Sequence, residues 1–201
     1  MSSMLRIGVD VDDVLVESLP GYLEAFRNYF GREVKVEDAA WEIFHRFPNI
    51  PSTQMWGFFA ELETSDFLAT RPIYAEAVSA VRSLASGGHR LVVVTGRLAS
   101  HREHTRRLLQ RAGIAHLFED LVHRNEEMAV EYKPRIARER GLDCLIEDEL
   151  HVAVAVARVP VSVLLVDRPW NQGDLPHGIT RVTSWDHILR HVGAVAAQRS
   201  G

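Results

Sequence analysis

Five apolar runs punctuate the chain, and polar residues follow each of them. They lie at residues 5–9 (LRIGV), 90–94 (RLVVV), 121–122 (LV), 144–146 (CLI) and 161–166 (VSVLLV). Runs that are nearly all apolar, rather than apolar at every second position, fit strands of a parallel sheet covered on both faces. Between them apolar residues recur at helical spacing. Residues 75–85 place Ala77, Val78, Val81, Leu84 and Ala85 on one face, and Gly87-Gly88 ends that helix. Ser100-His101-Arg102-Glu103 has the form of a capping box, opening a helix that Gly113 closes. Residues 133–140 read as a helix stopped by Gly141, with Pro134 in its first turn. The valines of 150–157 alternate with alanines as in a strand, but parallel strands need a crossover there, and we read helix. Residues 185–198 predict a terminal helix.

This alternation predicts an α/β fold, a doubly wound, Rossmann-like parallel sheet with helices on both faces. Such sheets bind ligands at the carboxyl ends of their strands. The stretch 16–70 interrupts the alternation. It is rich in aromatics (Tyr22, Phe26, Tyr29, Phe30, Trp41, Phe44, Phe47, Trp56, Phe58, Phe59), with helical patterns at 19–30 and 54–62 and punctuation at Pro48 and Pro51. We expect a small helical cap over residues 16–70, inserted after the first strand, and a core built from 1–15 and 71–201.

Composition narrows the partners. The 201 residues carry a net charge of -4 and a pI near 6.2, so no basic excess advertises a nucleic acid polymer or an anionic membrane. Residues 1–6 lack the pattern of a secretion signal, and the longest apolar candidate for a membrane span, 152–166, is broken by Arg158 and Pro160. Cys144 is the single cysteine, so no intrachain disulfide exists, in keeping with a reducing compartment. The expectation is a cytoplasmic protein with a small-molecule partner.

The polar residues after the strands suggest the chemistry. Asp10 and Asp12 stand two apart, a spacing that places side chains on one side of an extended chain. One carboxylate can attack phosphorus, and the other can protonate a leaving oxygen and then activate water. Their repulsion calls for a counter-charge such as Mg²⁺, which prefers oxygen ligands. Glu147-Asp148 offers further acidic ligands, Thr95 a hydroxyl, Gly96 an open backbone N–H, and Lys133 a positive charge. A calcium loop starting at Asp10 fails, because Leu15 stands where glycine is needed and Gly21 where glutamate belongs. The pairs His101/His104 and His187/His191 lack the glutamate of a zinc protease motif and read as helix faces.

Asp10-Val-Asp12-Asp-Val14, Thr95-Gly-Arg97, Lys133 and Glu147-Asp148 resemble the four ordered motifs of the haloacid dehalogenase superfamily. The resemblance implies a Mg²⁺-dependent phosphohydrolase. Asp10 would be its nucleophile and Asp12 its acid/base. Asp10, the Asp12 carbonyl and Asp148 would hold metal, and Thr95, Gly96 and Lys133 would hold phosphate. Asp12 argues against the dehalogenases themselves. The inserted segment, the Ile-Glu-Asp ending of the fourth strand and Val166-Asp-Arg-Pro-Trp-Asn171 resemble the cytosolic 5'(3')-deoxyribonucleotidases and their bacterial relatives. The implied substrate is a (deoxy)nucleoside 5'-monophosphate. The alternatives are a phosphatase for sugar or other metabolite phosphates, and a catalytically silent binding protein on the same scaffold. Glu147 stands where an aspartate is more usual, which places it in an outer shell. Arg97 stands where animal nucleotidases have a small residue. Arg97, Trp41, Phe44, His45 and Trp56 complete the candidate substrate contacts.

Overall fold

The computed structural model describes residues 3–36 and 49–199. Six parallel strands form one sheet in the order β3-β2-β1-β4-β5-β6. They are β1 (Arg6–Val9), β2 (Arg90–Leu98), β3 (Phe118–Arg124), β4 (Cys144–Glu147), β5 (Ser162–Val166) and β6 (Ile179–Val182). Between and around them run α1 (Leu19–Phe30), α2 (Ser52–Thr64), α3 (Phe67–Thr70), α4 (Ala75–Ser86), α5 (Arg102–Arg111), α6 (Ala129–Glu139), α7 (Leu150–Val156) and α8 (Trp185–Gln198).

The continuous apolar runs serve two cores. Ile7, Val9, Leu91, Val93, Cys144, Ile146 and Leu164 face α4, α5 and α8. Val92, Val94, Leu145, Val163 and Leu165 face α6 and α7. Successive side chains alternate between the faces, so a strand with helices on both sides must be apolar at every position. Both sheet edges depart from that pattern. β3 extends well beyond the expected 121–122, and β6 was not expected at all. Each has one neighbour. β3 therefore carries Glu119 and Asp120, which pair with Arg6, Arg90, Arg102 and Arg140, while β6 is a mixed Ile-Thr-Arg-Val.

Three local expectations are corrected. β2 does not stop at Val94 but continues through Thr95-Gly96-Arg97 to Leu98, with a register shift against β3 between Thr95 and Leu98. Because β2 runs so far, Ala99–His101 closes into a 3₁₀ turn, and α5 starts at Arg102 without the capping box. Helix α6 begins at Ala129, so Pro134 lies inside it and Lys133 is in its second turn. The carbonyl that Pro134 crowds is that of Val130, in the first turn of the helix, where it can tilt.

The insertion has its own apolar cluster of Phe26, Ile50, Met55 and Phe58, joined by Phe30, Val34, Phe59 and Leu62. Rings of Phe26 and Tyr29 meet Phe58 edge-on at 5.8 and 5.5 Å. Phe26 and Phe58 are therefore core, whereas Tyr29 packs on them from an exposed position. The end of the insertion, around α3, is tied to α5: Arg107 pairs with Asp66 at 2.8 Å, and Arg111 donates to the Arg71 carbonyl at 2.7 Å. Trp41, Phe44 and His45 lie outside the described residues. The Trp56 backbone belongs to α2, and its side chain is likewise outside the described set. Among the described residues no helix is long and apolar enough to cross a membrane.

Candidate active site

The strand order reverses direction between β1 and β4, and this is where open α/β sheets bind ligands. Val9 is in register with Ile146, so the next residues, Asp10 and Glu147, emerge side by side. The Asp10 N–H still donates to the Ile146 carbonyl, at 3.0 Å.

After Asp10 the chain turns back on itself, with Leu15 and Val16 donating to the Val11 carbonyl. Asp13 takes the left-handed conformation, φ 54°. Aspartate tolerates this because its short side chain bonds locally. Its carboxylate accepts from the N–H groups of Ser18 and Leu19, at 3.0 and 3.1 Å, and so caps α1. Arg168 locks the turn from outside, donating to the Asp13 carbonyl from Nε (3.0 Å) and Nη2 (2.6 Å). With α1 capped by Asp13, the buried Ser18 hydroxyl is released to donate to Asp12 Oδ1.

The two leading aspartates have different partners. Lys133 Nζ lies 2.9 Å from Asp10 Oδ2 and 2.6 Å from Glu147 Oε2, and all three residues are buried. Burial acts against the Lys133 charge, but Asp10 and Glu147 override it and hold the ammonium above its usual range. Burial pushes the Asp10 carboxyl up to about 7, against the pull of Lys133. Asp12 is held instead by Arg97, with Nε to Oδ2 at 2.7 Å and Nη2 to Oδ1 at 2.8 Å. Burial alone would raise Asp12; the Arg97 fork and the Ser18 hydroxyl keep it below the usual carboxylate range.

Glu147 Oε1 accepts the N–H groups of Asp148 and Glu149, at 3.2 and 3.1 Å. Asp148 is fixed by the turn after β5. Trp170 Nε1 donates to its Oδ2 at 3.1 Å, and Asn171 Nδ2 to its carbonyl at 2.6 Å. Burial, with Glu147, Asp13 and Asp10 nearby, raises Asp148 well above the usual carboxylate range. Asp10, Glu147 and Asp148 each offer an oxygen within 4.8 Å of the others. Among the described residues, the buried Asp10 Oδ1 has no hydrogen-bond partner. An all-oxygen cluster with an unpartnered carboxylate oxygen fits a hard divalent cation such as Mg²⁺.

Thr95 is fully buried at the bulged end of β2, where its hydroxyl accepts the Arg97 N–H at 3.2 Å. A methyl group built on Gly96 would meet only the Ala129 side chain, at 3.9 Å, so packing does not demand glycine there. The structure thus joins Asp10, Lys133, Glu147 and Asp148 in one cluster, and Asp12 and Arg97 in a second. Sequence reading missed Ser18, the capping role of Asp13, and the grip of Trp170 and Asn171 on Asp148. The Asp-Arg-Pro-Trp-Asn stretch was visible as a motif; its target was not.

The model of the cytosolic type C family of 5' nucleotidase, deoxy (pyrimidine) proteins, NT5C, matches residues 3–199. The chain belongs to the NT5C family. Two curated relatives of this NT5C chain bear nucleotidase names. "Putative nucleotidase BH1399" of Halalkalibacterium halodurans is 22% identical over 181 residues, covering 90% of this chain and 88% of that protein. "Putative nucleotidase YqfW" of Bacillus subtilis is 22% identical over 188 residues, covering 90% of each. The haloacid dehalogenase-like hydrolase SP0104 of Streptococcus pneumoniae shares the fold, with a TM-score of 0.74 at 15% identity over 96% of this chain and 100% of that one. The resemblance carried by the four motifs therefore holds, and this NT5C-family chain is a phosphoric monoester hydrolase of the haloacid dehalogenase superfamily.

Proposed function

We propose that this NT5C-family protein is a Mg²⁺-dependent phosphomonoesterase working through a phosphoaspartate on Asp10, and that its substrates are (deoxy)nucleoside 5'-monophosphates. The observation that carries the mechanism is Asp10 itself. It is buried between Lys133 and two further carboxylates, with one oxygen left without a partner. Such a group is costly to bury unless it has a ligand to meet.

In this reading Asp10, Asp148 and the Asp12 carbonyl would hold Mg²⁺, which supplies charge neutralisation for a phosphoryl group beside crowded carboxylates. Glu147 serves Lys133 and two backbone N–H groups, which suits a supporting position. Lys133, Thr95 and the Gly96 N–H would bind phosphoryl oxygens. An Asp10 oxygen attacks phosphorus as the bond to the ester oxygen breaks, and that oxygen takes a proton from Asp12. A phosphoryl dianion beside Asp12 raises its proton affinity, which offsets the pull of Arg97. In the second half-reaction water attacks phosphorus and gives its proton to Asp12. The acyl-phosphate bond breaks, and inorganic phosphate and free Asp10 result.

The nucleotide assignment is supported by family membership and by the names of the curated relatives. The insertion would act as the cap that closes over the nucleoside. Tyr22 on α1 lies near enough to Asp12 for that charge to act with burial in raising its phenol, which supports a cap beside the crevice. The test is phosphate release from a panel of nucleotide and sugar monophosphates, with Mg²⁺ and with a chelator. Release that depends on Mg²⁺ and disappears in Asp10→Asn is the expected result. Activity surviving Asp10→Asn would remove the nucleophile assignment. Preference for sugar phosphates over every nucleotide would retire the nucleotidase reading, and silence across the panel would favour a binding protein on this scaffold.

A further inference from the structure

We infer that Arg97 is a positioning residue for Asp12, holding its carboxylate in place for proton exchange with the substrate, rather than a ligand for the phosphate. The inference rests on the reading of Asp12 as the acid/base group.

The geometry is specific. Arg97 is buried and meets both Asp12 oxygens with a two-pronged fork, at 2.7 and 2.8 Å. Such a pair fixes the plane of a carboxylate as well as its position. Ser18 supplies a third donor, to Oδ1. A carboxylate has about four acceptor positions, so these three donors leave one, on Oδ2, for a proton shared with substrate.

Arg97 is itself held from behind. Its Nη1 donates to the Leu68 carbonyl at 3.2 Å and to Thr105 Oγ1 at 3.4 Å. Thr105 in turn lies 3.0 Å from His123 Nε2. The guanidinium, carried on the bulged end of β2, thus joins three other elements: the turn after β1, α3 at the root of the insertion, and α5. A phosphate ligand would be expected to keep donors free toward the crevice. Here four of the five Arg97 N–H groups donate to protein groups, two of them to Asp12. A fixed proton donor of this kind depends on the residues that orient it as well as on its own chemistry.

The test uses the leaving group. A positioned acid matters most when the departing oxygen is a poor leaving group, as in an alkyl phosphate, and least for p-nitrophenyl phosphate. Arg97→Gln and Arg97→Lys would be assayed on both esters, alone and in an Asp12→Asn background, after circular dichroism has shown which variants are folded. The expected result is a fall in kcat of about 10- to 100-fold on the alkyl ester, with a much smaller fall on the aryl ester. KM should stay within a few-fold, and Arg97→Lys should restore part of the loss. In the Asp12→Asn background the Arg97 changes should add less than about twofold. Equal losses on the two esters, a change carried by KM, or full additivity with Asp12→Asn would overturn the positioning role. Arg97→Lys retains a charge and donors, so it provides the reading if Arg97→Gln does not fold. A wild-type protein that hydrolyses neither ester would instead remove the phosphomonoesterase reading itself, a separate outcome.

Discussion

Replacing Lys133 by methionine is the most direct test of how the site is held together. The ammonium lies 2.9 Å from Asp10 and 2.6 Å from Glu147, at 2% exposure. Methionine fills similar space but leaves Asp10, Glu147 and Asp148 buried, with no cation among them and oxygens within 4.8 Å of one another. Breaking a buried ion pair from one side costs about 3–5 kcal/mol, because the remaining charge stays in a poorly solvated place. For a chain of this size each kcal/mol lowers Tm by about 2–4 °C, so Tm should fall by roughly 10 °C. Urea unfolding at pH 7.5 without divalent cations, followed by circular dichroism, reads the difference directly. Adding Glu147→Gln to Lys133→Met removes one stranded charge, and at least about 1 kcal/mol should return. A loss below about 1 kcal/mol in Lys133→Met, or no recovery in the double variant, would refute the claim that Lys133 neutralises this cluster.

Three further outcomes are expected. Asp13→Ala removes the acceptor for the Ser18 and Leu19 N–H groups and leaves a left-handed residue without its local bonds, so it should cost about 1–2 kcal/mol in urea unfolding. Trp170→Phe deletes the donor to Asp148 Oδ2, and calorimetric titration with Mg²⁺ should show affinity about 10-fold weaker with the fold unchanged. Burial pushes the His123 imidazole down to about 4. Between about pH 6.5 and 4 the unfolded chain therefore binds a proton that the folded chain excludes, and stability contributed by neutral His123 is lost as pH falls. Allowing for partial screening by solvent, that loss is about 1–2 kcal/mol. His123→Gln should lack it, so the wild-type minus variant stability should shrink across this window; a difference independent of pH would contradict the assignment.

Much of the molecule was legible before any coordinates. The apolar runs marked the strands that are covered on both faces, and the terminal helix expected over 185–198 has the bounds of α8. The edge strands were obscured because partial exposure admits charge: β3 carries Glu119 and Asp120, and β6 carries Arg181. The capping box at Ser100 failed because β2 continues into its neighbourhood, an outcome of pairing with β3 rather than of local preference. Asp10, Asp12, Thr95, Lys133 and Asp148 were each readable as polar residues near the end of an element. Ser18 carries no such mark, and Trp170 was visible only as part of a motif, since their partners lie across a turn or after another strand.

The local pattern therefore determined the inner strands, most helices and the order in which acidic and basic residues follow them, because periodicity and turn chemistry act over a few residues. Tertiary structure decided the pairing. Arg97 and Asp12 are 85 residues apart in the chain, and nothing near either names the other. Parallel pairing of β1 with β2 and β4 brings three chain segments to one edge, and burial then requires each charge to find a partner there. The same packing assigned Asp10 to Lys133 and Asp12 to Arg97, separating two aspartates that stand two residues apart in the sequence into two ion pairs.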